Sequence, residues 1–196
     1  EYIQNSVDSI DTCKSKKNKF VRIDLNPIEK SITIFDNASG ISSKEVGSVL
    51  NGIGSSKKTG QGLRGFRGIG RLGGIAFSEQ VTFRTKSSGE YIETIQTWDC
   101  NKLNSMLANK THGKMTIHEL LAEVTKINKV KSTDANKSYF EVKLDGVSSF
   151  RNYIFDYKKV KEFISQVAPV DYNHNSFSFG ETINKNLKSL VTNYCH

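Results

Sequence analysis

The sequence predicts a domain of the α/β (α+β) class, because amphipathic helical segments near both ends of the chain flank several alternating strands. Apolar residues in the first twelve positions recur at helical spacing, and later segments alternate with a period of two. The 196 residues are enough for one domain with a sizeable core. A hydrophobic content of 36% and a charged content of 24% fit a soluble globular protein.

Residues 1–12 predict a helix with two distinct faces, because apolar and polar side chains separate at about 100° per residue. The apolar face, which we expect to pack, carries Ile3, Val7 and Ile10, and the polar face carries Glu1, Asn5 and Asp8. Two interpretations of the polar face remain open. It is either the solvated side of a surface helix or a site where the Asn5 amide oxygen binds Mg²⁺ and Glu1 acts as general base.

The middle of the chain predicts strands. Residues 20–25 and 31–35 alternate on either side of Asn26-Pro27 and predict a β-hairpin. Further strands are expected at 81–85, 91–98, 114–120 and 139–144, and closing helices at 160–167 and 183–194.

The hairpin runs into Asp36-Asn37-Ala38-Ser39-Gly40, which has two interpretations. These residue types are common at an ordinary polar strand end. A carboxylate fixed at a strand end can also accept a hydrogen bond from an exocyclic amine such as that of adenine, and Gly40 would let a base lie close to the backbone.

Five glycines occur between Gly65 and Gly74, together with Arg67 and Arg71. Such a loop is either a mobile turn or a phosphate-binding segment that leads into a helix N-terminus. It lacks the Gly-Lys-Ser/Thr of a P-loop and the preceding strand of a dinucleotide-binding fingerprint. Residues 51–64 are rich in glycine, serine and lysine, a composition that favours a lid.

The formal charge of +8 favours anionic partners, although solvated lysines account for much of it. Three widely spaced cysteines, Cys13, Cys100 and Cys195, predict a reducing, cytoplasmic compartment and no disulfide framework. No apolar run reaches the length needed to cross a membrane, so no membrane partner is expected. Because Glu1 rather than Met opens the first helical pattern, we expect a domain of a longer protein.

Three motifs in fixed order resemble those of the GHKL ATPase superfamily, named after gyrase, the ninety-kilodalton heat-shock chaperones, histidine kinases and MutL. Glu1–Ser9 resembles its N-box, Asp36–Gly40 its first glycine box and Gly65–Gly70 its later glycine box. The resemblance extends over roughly residues 1–120. The order of the three motifs along the chain is more specific to this superfamily than any one motif alone.

The resemblance implies the Bergerat fold, a two-layer sandwich with a mixed, mainly antiparallel sheet, helices on one face and a flexible ATP lid. It implies an ATP-binding core at 1–125, with the N-box at 1–9, the first glycine box at 36–40, the lid at 51–64 and the later glycine box at 65–70. Residues 126–196 would extend this domain or begin the next one.

The resemblance also implies roles for individual residues. Glu1 would activate the attacking water, and Asn5 would bind Mg²⁺. Asp36 would hold the adenine amine, and Gly40 would make room for the base. Ala38 stands where the family usually has a glycine, so the adenine would be more crowded here.

The phosphates would be wrapped by the later glycine box, which comprises Gly65, Phe66, Arg67, Gly68, Ile69 and Gly70. The family tends to place a Gly-Thr pair on a strand near the adenine. Lys114 follows Gly113 here, so Thr116 is the substitute expected on the strand 114–120.

The implied activity is Mg²⁺-dependent hydrolysis of ATP to ADP, slow in this fragment, that drives a conformational switch in a chaperone-like protein. Two alternatives stay open: an ATP-gated, DNA-associated clamp of the MutL, gyrase or MORC kind, and a nucleotide-binding module with little hydrolysis. Beyond ATP and ADP, the expected partners are a protein client or DNA, with a homodimer in the full-length protein.

Overall fold

The computed structural model describes residues 1–13, 18–52, 72–108, 115–167, 181–182 and 185. The chain divides into two compact units, Glu1–Gln166 and Val167–His196. In the second unit, Lys185 and Glu181 form an ion pair of 3.0 Å. The predicted helix at 183–194 falls almost wholly outside the described residues, as does the later glycine box at 65–70.

A six-stranded sheet forms the centre of the first unit. Its strands are β1 (Val21–Asn26), β2 (Ser31–Asp36), β3 (Gln80–Lys86), β4 (Ile92–Asp99), β5 (Thr125–Lys131) and β6 (Tyr139–Asp145). Their spatial order is β1-β2-β6-β3-β4-β5, and every pairing among these strands is antiparallel. The last strand therefore lies near the centre, between the hairpin β1-β2 and the hairpin β3-β4.

Six helices are described: α1 (Tyr2–Thr12), α2 (Val46–Asn51), α3 (Cys100–Ala108), α4 (Ile117–Val124), α5 (Arg151–Ile154) and α6 (Tyr157–Val167). None of them is both long and apolar enough to cross a membrane. The C-terminal end of α1 is capped by the Lys19 ammonium, which donates to the carbonyls of Ile10 at 2.5 Å and Cys13 at 2.8 Å.

The core lies between one face of the sheet and the helices α2, α3 and α4. Alternate residues of β3, β4 and β6 point into it, because side chains of a strand alternate between faces. Its members include Val46, Leu50, Val81, Phe83, Trp98, Leu103, Met106, Leu121, Val124, Val142 and Leu144. The expected two-layer α/β sandwich with helices on one face is thereby confirmed, and it fits the Bergerat fold.

Several predicted elements are confirmed, and one is wrong. Helix α1, the hairpin β1-β2, the strands β3, β4 and β6, and helix α6 lie where their periodicity predicts. Of the strand expected at 114–120, residues 117–120 are instead the first turn of α4, and Thr116 is its N-cap residue. Neither α3 nor β5 was predicted. Because β5 and β6 belong to the sheet, residues 126–145 share one core with the preceding segment.

Candidate functional site

The last residue of β2, together with the loop that follows it, forms a segment of residues 36–41 that contains a buried carboxylate and is called the Asp36 loop below. Asp36 ends the strand with 1% of its surface exposed. Its Oδ1 atom accepts a hydrogen bond of 3.1 Å from the backbone N–H of Ala38, as in an Asx turn. The next side chain, Asn37, accepts from the Phe20 N–H at 2.8 Å and donates to the Asn18 carbonyl at 2.7 Å. The turn therefore keeps Asp36 inside while Asn37 fastens the start of β1.

Gly40 lies where the loop touches the ends of two strands. Its φ of +66° is in the left-handed region. A Cβ atom there would lie 2.1 Å from the carbonyl oxygen of Lys86 and 2.8 Å from that of Tyr139. The sequence predicts that this glycine leaves room for a base. In the structure, the space beside its Cα is occupied by the backbone of β3 and β6. The fold requires glycine here whatever ligand binds.

Two hydroxyl groups hold the loop against the sheet. Thr85 of β3 accepts a hydrogen bond from the Ile41 N–H at 2.8 Å and donates to the Tyr139 carbonyl at 3.0 Å. Ser138, just before β6, donates to the Ala38 carbonyl at 2.6 Å. Both side chains are buried, so these bonds are shielded from water. The loop that carries Asp36 is thus fixed to β3 and β6.

An aromatic surface lies next to the buried carboxylate. Asp36, Phe140 and Thr85 stand directly opposite one another on β2, β6 and β3, so their side chains share one face of the sheet. The half-buried Phe140 ring lies 6.1 Å from Phe83, which contacts Tyr2 of α1 edge-on at 6.5 Å. This row of rings connects Asp36 to the beginning of α1.

Helix α1 packs on β1 and β2, and its polar side is more buried than the sequence predicts. Ser6, Val7 and Asp8 are all buried, with Asp8 only 4% exposed, whereas Ile3 and Ile10 are merely half-buried. Of the apolar face that was expected to pack, only Val7 is fully buried, and the burial of Asp8 shows that the polar face is not simply a solvated surface. Successive residues are buried because the helix is covered from more than one side.

The two α1 residues expected to act on a ligand differ in environment. Glu1 precedes the helix as its N-cap residue and is exposed. Its carbonyl accepts a hydrogen bond from the Asn5 N–H at 2.9 Å. The Asn5 side chain is half-buried, one turn along the helix. Both are oxygen-bearing side chains at the same end of α1.

Tyr2 connects this end of α1 to the segment after the glycine-rich loop. Its hydroxyl oxygen accepts a hydrogen bond from the Gly74 N–H at 3.1 Å. A Cβ atom at Gly74 would lie 2.6 Å from that oxygen and 2.6 Å from Cδ2 of Leu144. The absence of a side chain at Gly74 therefore allows the phenol to reach the backbone.

An ionic cluster lies on the opposite face of the sheet, behind the loop. The Tyr139 hydroxyl donates to Glu93, and burial together with this bond raises the pKa of Tyr139 well above its ordinary value. Burial alone would raise the pKa of Glu93, but hydrogen bonds from Tyr139 and Arg84 outweigh it and lower that pKa. Arg84 approaches Glu93 at 2.7 Å. This cluster stabilises the start of β6 in its position beside β3.

Thr116 is not where the sequence predicts. It is the N-cap residue of α4, where its Oγ1 accepts from the Glu119 N–H at 3.3 Å while Glu119 accepts from the Thr116 N–H at 2.7 Å. This capping box stabilises a helix start, which overrides the alternating pattern of the segment. The prediction that Thr116 lies on a strand is therefore wrong.

The structure brings Asp36, Ala38 and Gly40 together in one loop, with Glu1 and Asn5 on the helix that packs on β2. The predicted phosphate-binding residues lie outside the described part of the chain. The sequence did not identify Thr85, the last residue of the predicted strand 81–85, or Ser138, just before the predicted strand 139–144, as supports of this loop. Their position, at the end of one strand and just before another, was a usable signal only once the strand order was known.

A family model described as histidine kinase-, DNA gyrase B- and HSP90-like ATPase matches residues 1–136. The match covers more than two thirds of the 196 residues and includes the N-terminal helix and the loop of Asp36. A comparison with curated proteins gave no significant match. The matched region ends just before Ser138 and β6, which complete the sheet around that loop.

Proposed function

The chain belongs to the histidine kinase-, DNA gyrase B- and HSP90-like ATPase family, and we propose that it is a Mg²⁺-dependent ATPase domain acting as a nucleotide-driven conformational switch. Family membership supports nucleotide binding in general. The chaperone-like role, the metal and the hydrolytic activity are proposals about this chain.

The observation that carries the proposal is the buried, immobilised carboxylate of Asp36. Its loop is held by the hydroxyl groups of Ser138, just before β6, and Thr85, in β3, at the Ala38 carbonyl and the Ile41 N–H respectively. A carboxylate fixed in this way accepts a hydrogen bond from the exocyclic amine of adenine without first being ordered, which reduces the cost of binding. The neighbouring Phe140 ring offers an apolar surface to the planar base.

The reacting end of the site is assigned to α1. Glu1 would accept the proton of the attacking water, and Asn5 would bind Mg²⁺ through its amide oxygen. The donor set fits, because Mg²⁺ in nucleotide sites uses one or two protein oxygens together with phosphate oxygens. Among the described residues, no cluster of three or more His, Cys, Asp or Glu offers a competing metal site. Bound Mg²⁺ would neutralise phosphate charge.

We expect turnover by this chain to be slow. Glu1 is exposed, and no capping hydrogen bond from its side chain is present in the described part of the chain. A general base must be held within hydrogen-bond reach of the water to be effective. Binding should therefore be easier to detect than hydrolysis.

The phosphate chain is assigned to the later glycine box, where the backbone of Gly65, Gly68 and Gly70 and the intervening Phe66, Arg67 and Ile69 would surround it. Residues 51–64 are proposed as the lid. We further propose a cytoplasmic location, which the buried, reduced thiol of Cys100 supports.

The test is thermal unfolding with and without ATP and Mg²⁺, since a ligand at about a hundred times its Kd adds about 2.7 kcal/mol to the free energy of unfolding. We expect Asp36→Asn to abolish the ATP-dependent shift, because the amide oxygen would keep the bond from the Ala38 N–H and leave the NH2 group, a donor, facing the adenine amine. Asp24→Asn, at an exposed carboxylate paired with Arg22, is the matched control and should keep the shift. An undiminished shift in Asp36→Asn would overturn the proposal.

Glu1→Ala separates binding from hydrolysis. This variant should keep the ATP-dependent shift and lose phosphate release. If phosphate release continues unchanged, Glu1 is not the base, although nucleotide binding at Asp36 would stand.

A DNA-associated clamp is the second candidate, favoured by the net charge of +8 and by strand β5. This edge strand exposes Lys126, Lys129 and Lys131 and contains no acidic residue. A phosphate backbone would release counterions on binding there, so retention on duplex DNA should fall steeply with salt. The triple Lys→Gln variant should lose retention, whereas Lys102→Gln, at a lysine already paired with Glu123, should not. Retention at low salt that survives the triple substitution would exclude this surface.

A further inference from the structure

A charged side chain is buried directly behind the Asp36 loop. Lys86, the last residue of β3, is only 1% exposed and ranks among the largest fully buried side chains of the described residues. Lysine is almost never fully buried, because removing an ammonium group from water is costly unless it is compensated. Specific hydrogen-bond partners must therefore compensate the Lys86 ammonium for the water that it loses.

The compensation comes from backbone carbonyls. The Lys86 Nζ donates to the carbonyl oxygen of Lys137 at 2.7 Å and to that of Ala135 at 3.4 Å. Within the described part of the chain, no carboxylate lies within ion-pair distance of this ammonium. Its charge is thus directed at the segment that connects β5 to β6. The same segment is tied to the β3-β4 turn by a 2.8 Å bond from the Gly89 N–H to the Ala135 carbonyl.

Lys86 supports the Asp36 loop in two ways, directly through its backbone and indirectly through its side chain. Its own carbonyl oxygen lies against Gly40, where a Cβ atom would be only 2.1 Å away. Its side chain holds Lys137, and the next residue is Ser138, whose hydroxyl bonds to the Ala38 carbonyl at 2.6 Å. One residue therefore supports the backbone under Gly40 and the partner of Ala38.

We propose that Lys86 is a positioning residue of the nucleotide site. Its ammonium fixes residues 135–138, so that Ser138 meets the Ala38 carbonyl and the loop presents the Asp36 carboxylate in the geometry that adenine requires. This inference rests on the proposed function. An apolar side chain could fill the same volume, but it could not donate to the two carbonyl groups in a buried setting, where such interactions are strengthened.

The test compares the Kd values for ATP and GTP, each with Mg²⁺, by calorimetry on the 196-residue chain, well below the melting temperature of every variant. In Lys86→Met the affinity for ATP should fall about tenfold while that for GTP stays unchanged, because only the adenine amine depends on the Asp36 loop. Lys102→Met, which removes an exposed ammonium paired with Glu123, should leave both values unchanged. If the role of Lys86 is purely structural, Lys86→Met should lower the melting temperature without changing the ratio of the Kd values for ATP and GTP.

A double-mutant comparison tests the route of the effect. If Lys86 acts through Ser138, then Lys86→Met and Ser138→Ala together should weaken ATP binding no more than the stronger single variant. Additive effects would show that Lys86 does not act through Ser138, and this inference would be overturned.

The remaining outcomes separate this inference from the proposed function. A wild-type chain that binds neither nucleotide would refute the function itself. A wild-type chain that prefers ATP, with the preference unchanged in Lys86→Met, would refute only the role of Lys86. If Lys86→Met does not fold, Lys86→Gln, which keeps a donor, should show a partial loss of selectivity. Full selectivity in Lys86→Gln, or its failure to fold, would mark Lys86 as structural and overturn the inference.

Discussion

The hydroxyl of Ser138 donates a 2.6 Å hydrogen bond to the carbonyl oxygen of Ala38, one hundred positions earlier in the chain. The bond exists because β6 returns to the centre of the sheet and lies beside β2. It joins the last strand to the loop that carries Asp36, so the candidate adenine site is complete only when β6 is in place.

Ser138→Ala should weaken both the fold and nucleotide binding. It leaves the Ala38 carbonyl without its buried donor, which costs about 1–3 kcal/mol of unfolding free energy. We expect ATP affinity, measured by calorimetry, to fall several-fold as the loop loosens. Ser105→Ala, at an exposed hydroxyl of α3, is the control and should change neither quantity. Unchanged ATP affinity in Ser138→Ala would show that the loop is held sufficiently by its other bonds.

Gly40→Ala should be severely destabilising, by about 3 kcal/mol or more, because the added methyl group would meet the Lys86 carbonyl and φ is +66°. Gly89→Ala is the matched control. Gly89 also has a positive φ, +85°, but open space around its Cα in the described structure, so only the backbone cost of about 1 kcal/mol remains. Chemical denaturation measures both. Equal losses would mean that the backbone of β3 can move away from the added methyl group at little cost.

Tyr2→Phe should destabilise the chain by about 1 kcal/mol, because it removes the acceptor for the Gly74 N–H while keeping the ring contact with Phe83. Urea denaturation measures the change. Tyr91→Phe, at a side chain that is 64% exposed, should have no measurable effect. No loss in Tyr2→Phe, together with a clear loss in Tyr2→Ala, would instead place the contribution in the ring.

Thr116→Ala should lower the free energy of unfolding by about 1 kcal/mol without changing ATP affinity, because its side chain caps α4. Thr116→Ser keeps the capping oxygen and should retain most of the stability. Thermal unfolding measures the change in stability, and calorimetry measures the affinity for ATP. Weaker ATP binding in a stable Thr116→Ala variant would restore the role that the sequence suggested.

Alkaline pH should destabilise the protein partly through Tyr139. Its pKa is raised in the folded state, so the folded state holds the phenolic proton more tightly than the unfolded state does. The resulting stability is present below the ordinary pKa of 10.0 and is lost as the pH rises above it. Between about pH 9 and about pH 11, Tyr139→Phe should therefore lose less unfolding free energy than the wild type. Parallel losses in the two proteins would contradict this assignment.

Local patterns predicted much of the fold. The hairpin β1-β2 follows from alternation around Asn26-Pro27, and α1 from apolar spacing. The segment around Thr116 was wrongly predicted as a strand because its polar and apolar residues alternate as they do in strands. Thr116 and Glu119 also form a capping box, which is the signal that the structure follows. Strand β5 was missed because an edge strand with exposed lysines lacks the alternation that burial on one face produces.

The sequence by itself determined the chemistry of the candidate site: a carboxylate at the end of a strand, a glycine after it, and an acid and an amide on the first helix. Only the tertiary structure decided that Thr85, Lys86 and Ser138 support that carboxylate. Such support depends on which strands are neighbours and in what register. No local pattern encodes that choice, because it is made by the shared core that forms when β6 enters between β2 and β3.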